Sequence, residues 1–274
     1  MKKEIIMQTA LEKLNSKFEN GFHICVGLDT DINKIPKHLL NQPNPVYEFN
    51  KIIIENTAEH AAAYKINFAF YERDGIKGIE NILKTLELIP EDVLKIADAK
   101  RGDIGNTSQM YAESIFEYYN FDSVTLHPYM GYDSLNPFLS YSDKLNFVLA
   151  LTSNRGSADF EKLRLDDGKF LFQKVIERVN DWNKDGNCGI VFGATNLDEL
   201  SENLQNFKNL PVLLPGVGAQ GGNLKEIVKV FKNQAKLDYL INISRALLYN
   251  DDTEQFGNSV LQGIKQYNRT VFSI

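Results

Sequence analysis

Short apolar runs alternate with longer stretches of helical periodicity along almost the whole chain. FHICVGLD is followed by YEFNKIIIENTAEH, AYKINF by GIKGIENILKTLEL, and VLKIADA by QMYAESIFEYY. SVTLHP precedes a short helix near Leu135 to Tyr141, LNFVLALTS precedes FLFQKVIERVNDW, and GIVFGAT precedes LDELSENLQNF. PVLLPGV with LKEIVKVFKNQ, and DYLINIS with a helix from near Thr253, complete the series. This is the rhythm of repeated βα units. Eight strands with their helices fit a 274-residue chain, close to the roughly 250 residues of a typical (β/α)₈ barrel. The runs are continuously apolar, as strands covered on both faces should be, and right-handed crossovers let this order close without knots. The pattern therefore predicts an α/β fold, a (β/α)₈ TIM barrel occupying residues 1–274 as one domain, with an N-terminal helix over about 1–20 ahead of strand one. A doubly wound open sheet accommodates the same alternation.

Composition narrows the function classes. The net charge of −6 argues against nucleic-acid or anionic-membrane binding driven by bulk charge, so an anionic substrate must be met by a local cationic pocket. The N-terminal apolar residues are spaced as an amphipathic helix and interrupted by Glu4, Glu12 and Lys13, unlike a secretory signal. No stretch approaches the roughly 18 apolar residues of a membrane span. Cys25 and Cys188 lie in separate apolar runs and read as reduced core thiols, consistent with the cytoplasm. The histidines at 23, 38, 60 and 127 have no metal-ligand spacing.

In a barrel of this kind the active site is built at the C-terminal ends of the strands. Asp29 ends strand one, Lys65 lies near the end of strand two, and Asp98 with Lys100 ends strand three. His127, Thr152 with Ser153, Pro215 with Gly216, and Ser244 with Arg245 end strands four, five, seven and eight. Strand alternation is expected to turn Asp98 and Lys100 to one face. Lys65 from the neighbouring strand is expected between Asp29 and Asp98, because a lysine near the barrel core needs anionic partners. His127, ahead of Pro128, reads as a hydrogen-bonded core histidine. PGVGAQGGN, residues 215–223, offers backbone N–H groups and a helix N-terminus to an anion, with Arg245 as a guanidinium partner for a phosphate. Gly216, Gly218 and Gly221 also spell G-x-G-x-x-G, but no acidic residue ends the following strand, and little chain remains for a dinucleotide fold.

DAKRGDIGNTS (98–108), with VGLDTD, AYKINFAFYE, LTSN, PGVGAQGG and the late Arg245, resembles the orotidine 5′-monophosphate decarboxylase family in its longer, mostly bacterial branch. The resemblance runs from residue 22 to about 250. It implies a Lys-Asp-Lys-Asp tetrad at Lys65, Asp98, Lys100 and Asp103, with Lys100 as proton donor and Asp98 beside the reacting carboxylate. It further implies that Asp29 and Lys65 hold ribose hydroxyls, that Ser153 contacts the pyrimidine with Pro215 nearby, and that Gln220, Gly221 and Arg245 take the phosphate. Asp103, Ile104 and Thr107 would reach into the site of a partner subunit, making a homodimer with shared sites. The implied reaction converts orotidine 5′-monophosphate to uridine 5′-monophosphate without metal or organic cofactor. Arg155 and Ser244 depart from the family's usual proline and glycine. A magnesium-dependent sugar-phosphate decarboxylase or aldolase on a related barrel, and a non-catalytic phosphate-binding barrel, are the alternatives.

Overall fold

A computed structural model describes residues 8–218 and 221–274. Its strands are β1 (Ile24–Gly27), β2 (Ala63–Asn67), β3 (Leu94–Arg101), β4 (Ser123–Leu126), β5 (Leu145–Leu151), β6 (Cys188–Phe192), β7 (Val212–Leu214) and β8 (Tyr239–Ile243). All pair in parallel and in chain order around a closed barrel. Closure is made by β1 against β8, with Ile24 opposite Ile241 and Val26 opposite Ile243. The open-sheet alternative is thereby excluded. The helices are α1 (Ala10–Glu19), α2 (Pro45–Thr57), α3 (Phe68–Glu72), α4 (Ile76–Leu88), α5 (Gly105–Glu113), α6 (Tyr132–Leu139), α7 (Leu171–Trp182), α8 (Leu197–Asn203), α9 (Leu224–Asn233), α10 (Arg245–Leu248) and α11 (Phe256–Ser273).

Alternation along each strand divides the core in two. Cys25, Ala63, Ile96, Phe147, Val191, Leu213 and Leu240 fill the barrel, whereas Val26, Tyr64, Val148, Ile190 and Leu214 face the helices. Both faces are dry, which is why the strand runs carry so few polar residues. Cys25 and Cys188 are free and buried, and burial pushes each thiol up to about 12, so neither supplies a thiolate near neutrality.

The N-terminal end of the barrel is sealed. Thr9 caps α1 in a capping box with Glu12, and Ala10, Leu14 and Phe18 join the interior cluster. Lys13 Nζ donates to Asp122 Oδ1 at 2.8 Å, and the other oxygen of Asp122 accepts the Lys95 N–H at 2.9 Å. Chemistry is left to the opposite, C-terminal rim.

The helical segments differ from the periodicity reading mainly at their ends. The segment expected at 109–119 begins at Gly105 and passes into a π-helical turn over Ser114–Tyr118. The short helix expected near Leu135 starts at Tyr132 and carries Pro137 inside it. The last helix starts at Phe256 rather than near Thr253, and α3 and α10 are single-turn pieces too short to leave a periodic signal. Among the described residues, no helix is long and apolar enough to cross a membrane.

Candidate active site

β3 does not run straight into its loop. It pairs with β4 at Ala97–Val124 and again at Arg101–Leu126, leaving Asp98, Ala99 and Lys100 opposite Thr125 alone. Within this bulge Lys100 has φ +46°, a left-handed backbone that costs a non-glycine residue roughly 1–2 kcal/mol. The expectation that simple alternation turns Asp98 and Lys100 to one face is therefore corrected. The two side chains do meet, but through a looped-out backbone.

Asp98 is the hub. Its Oδ1 accepts Lys100 Nζ at 2.5 Å and the Thr125 hydroxyl at 3.0 Å, while its Oδ2 accepts Lys65 Nζ at 2.7 Å. Lys65, in register with Gly27 of β1 and Ile96 of β3, also stands 3.7 Å from Asp29 Oδ1. Asp29, Lys65, Asp98 and Lys100 thus form a line of alternating charge across three strands. Exposure changes sharply along it, from 4% for the Lys65 side chain to 50% for that of Lys100. Burial alone would raise the Asp98 carboxyl, but the Lys65 and Lys100 ammonium groups outweigh it and hold the acid well below the usual carboxylate range. For Lys65, burial opposes the charge, and Asp98 and Asp29 overcome it, raising the ammonium above its ordinary range.

These shifts fix the sign of the pH dependence. Asp98, depressed in the folded state, contributes stability that is present above its unfolded value of about 3.9 and is lost as pH falls toward its folded value. Lys65, raised in the folded state, contributes stability that is present below its unfolded value of about 10.4 and is lost as pH rises through the higher folded value. Replacing Lys65 with methionine takes from Asp29 its ammonium partner and leaves Asp98 with Lys100 and Thr125 alone. We expect a loss of about 3–5 kcal/mol in urea unfolding at pH 7, the usual result of removing one partner of a buried pair.

The remaining candidates surround this line. Asp103, just past β3, keeps its Oδ1 on the Ile104 N–H at 2.8 Å and makes no ion pair among the described residues. Ile104 and Thr107 point outward from the start of α5, Ile104 being 58% exposed. Within one chain, then, the line gathers Lys65, Asp98 and Lys100 but not Asp103. Arg101 turns away, paired with Glu72 at 2.7 Å and stacked on Phe68 and Tyr111.

At the end of β5, Glu161 accepts the Thr152 N–H at 2.6 Å, Asn196 Nδ2 donates to the Thr152 carbonyl at 3.0 Å, and Thr195 donates to the Ser153 carbonyl at 3.3 Å. The Ser153 segment is thereby held from within its own loop by Glu161 and from the loop after β6 by Thr195 and Asn196. Arg155, at the start of a 3₁₀ turn, is exposed. His127 is exposed as well, which overturns the core-histidine expectation: its Nδ1 accepts the Tyr129 N–H at 3.4 Å and caps the turn begun by Pro128.

After β7, the Pro215 carbonyl accepts the Ala194 N–H at 2.9 Å. Gly216, Gly218 and Gly221 all have φ between +76° and +104°, left-handed positions that only glycine adopts freely, and Gly222 N–H meets the Gly216 carbonyl. A Cβ on Gly218 would lie 3.3 Å from Ala246, so this turn packs beside Arg245 at the start of α10. Arg245 is exposed and has no carboxylate partner among the described residues. Gln220 lies outside the described residues. The departure at Ser244 has a local reason. Its hydroxyl accepts Asn242 Nδ2 at 3.3 Å and occupies the space beside Gly27, where a Cβ would approach it to 1.9 Å.

Sequence reasoning missed Thr125, Glu161 and Asn196. Thr125 alone left a trace, a hydroxyl inside the apolar run SVTL facing the acidic end of β3.

The model of the "Orotidine 5'-phosphate decarboxylase / HUMPS family" matches residues 23–258. A curated orotidine 5′-phosphate decarboxylase of Porphyromonas gingivalis is 49% identical over 236 residues, covering 85% of this chain and 85% of its own. Among solved structures, the Leishmania donovani OMP decarboxylase superposes with a TM-score of 0.81 at 35% identity, covering 95% of this chain and 99% of that one. The Leishmania donovani UMP synthase gives 0.85 at 36% identity, and there the match covers 97% of this chain but spans only 57% of the synthase.

Proposed function

The chain belongs to the orotidine 5′-phosphate decarboxylase family, and from that membership we propose that it converts orotidine 5′-monophosphate to uridine 5′-monophosphate and CO₂, the last step of de novo UMP synthesis, with Lys100 as the proton donor. The observation that carries the mechanistic part is the line Asp29, Lys65, Asp98 and Lys100, whose exposed end is an ammonium.

Loss of CO₂ breaks the bond to C6 of the pyrimidine and leaves its electron pair on that carbon, with no adjacent carbonyl to delocalise it. The Lys100 ammonium stabilises this charge and then gives its proton to C6, and the neutral amine recovers a proton from water. Asp98 keeps Lys100 charged and aimed until that moment. Repulsion between Asp98 and the substrate carboxylate is a smaller contribution. At ~4 Å and an effective dielectric of ~20 it amounts to about 4 kcal/mol, against the roughly 8–23 kcal/mol by which enzymes lower barriers.

Asp29 Oδ1 is buried with no hydrogen-bond partner among the described residues, an acceptor suited to a ribose hydroxyl beside Lys65. Ser153 and Pro215 flank the pyrimidine, and Gln220, Gly221 and Arg245 take the phosphate. Asp103, Ile104 and Thr107 complete the site of a second subunit in a homodimer. Exposed apolar side chains on the segments after β3, β4 and β5, among them Ile104, Met110, Tyr129, Met130 and Phe160, support such an interface. The protein acts in the cytoplasm.

The test is the spectrophotometric loss of orotidine 5′-monophosphate with purified protein that sediments as a dimer. Turnover should survive exhaustive EDTA treatment unchanged, since no carboxylate in this scheme serves a metal. A chelator-sensitive rate restored by magnesium would assign the chain to metal-dependent chemistry instead. A folded dimer inert toward this nucleotide would end the proposal.

A further inference from the structure

Thr125 is 2% exposed and sits alone opposite the three-residue bulge of β3. Its hydroxyl accepts the Lys100 backbone N–H at 3.1 Å and donates its single proton to Asp98 Oδ1 at 3.0 Å, the oxygen that also takes Lys100 Nζ. The contacts close a ring: Lys100 N–H to Thr125 Oγ1, Thr125 O–H to Asp98, and Asp98 back to the Lys100 ammonium. A hydroxyl can serve as acceptor and donor at once; a valine of the same shape can do neither.

We infer that Thr125 is a positioning residue for proton transfer, holding Lys100 in its left-handed backbone and fixing the Asp98 carboxylate. This rests on Lys100 as the proton donor. Three features separate it from ordinary core packing. The N–H it accepts belongs to a residue with φ +46°, a conformation that persists only where surrounding contacts hold it. The bulge removes the regular ladder partner of that N–H, so the side chain takes the place of a β4 carbonyl. The Thr125–Asp98 bond also does not involve the proton that Lys100 gives away. When Lys100 becomes a neutral amine, Thr125 and Lys65 still fix both carboxylate oxygens, and the site is ready to be recharged without reorganisation.

Thr125→Val keeps the volume and removes the hydroxyl, whereas Thr125→Ser keeps the hydroxyl. Both are measured beside wild type and Lys100→Ala with orotidine 5′-monophosphate, and folding is checked by thermal melting. The valine variant should lose about ten- to a hundredfold in kcat with KM within about threefold, as when a group that orients a catalytic residue is removed. The serine variant should stay within about threefold of wild type in both. Wild-type kcat in the valine variant would overturn the inference, as would a loss lying wholly in KM or a serine variant as slow as the valine. If valine unfolds the protein, the serine variant together with Thr125→Cys decides: the weak thiol should fall well below serine in kcat, and equality of the two would overturn the inference. An active Lys100→Ala would instead refute the proton-donor reading on which the inference stands.

Discussion

Lys100→Ala should reduce kcat for orotidine 5′-monophosphate by at least about 10⁴-fold while leaving the fold in place. In the proposed scheme two roles end in one atom. General-acid catalysis by a positioned group contributes roughly 10²–10⁴, and one preorganised charge-stabilising donor contributes about 10²–10³. Removing both together loses transition-state stabilisation that binding cannot replace. The structure also explains why the protein should survive the change. The Lys100 side chain is half exposed, and Asp98 keeps Lys65 and Thr125 after its removal. Relief of the left-handed backbone is not gained with alanine, so melting should stay close to wild type. Lys100→Ala is therefore the clean probe of chemistry, and Lys65→Met the probe of stability. An alanine variant turning over within tenfold of wild type would place the proton donor elsewhere.

The contrast between these lysines shows what was legible in the sequence. The barrel was, because each strand is short, covered on both faces and separated from the next by a helix of distinct period. The charged residues at strand ends were also legible, since ionisable groups next to runs such as AYKIN and KIADAK have little reason to be there without partners. The path by which Asp98 and Lys100 meet was not. Alternation is a rule for regular strands, and a bulge is set by how one strand meets its neighbour, information that lies in the pairing of β3 with β4 rather than in either segment. The same limit applies to Glu161, which comes from the irregular segment after β5 to hold Thr152, and to His127, whose exposure depends on the turn at Pro128. Periodicity reports burial along one element; it carries no record of contacts between loops.

The second large effect concerns the end of the substrate farthest from the reacting carbon. Orotidine, which lacks the phosphate, should fall by about 10⁴-fold or more in kcat/KM, with part of the loss in kcat. If Arg245 and the glycine turn give the phosphate three or four charge-assisted hydrogen bonds, at roughly 1.5–3 kcal/mol each, they contribute about 5–12 kcal/mol. If that energy served affinity alone, truncation would raise KM and spare kcat. The geometry argues otherwise. Gly222 N–H meets the Gly216 carbonyl, Gly218 lies beside Ala246 of α10, and the carbonyl of the preceding Pro215 anchors the β6 loop at Ala194. These contacts link the phosphate end to the pyrimidine end, so anion binding beside Gly221 and Arg245 should help organise the site around C6. Steady-state kinetics with orotidine, and then with orotidine plus inorganic phosphite as a separate anion, test this. Phosphite should restore a measurable part of the lost kcat if the turn acts through organisation. A loss confined to KM, with no response to phosphite, would show that the phosphate end serves only as a handle.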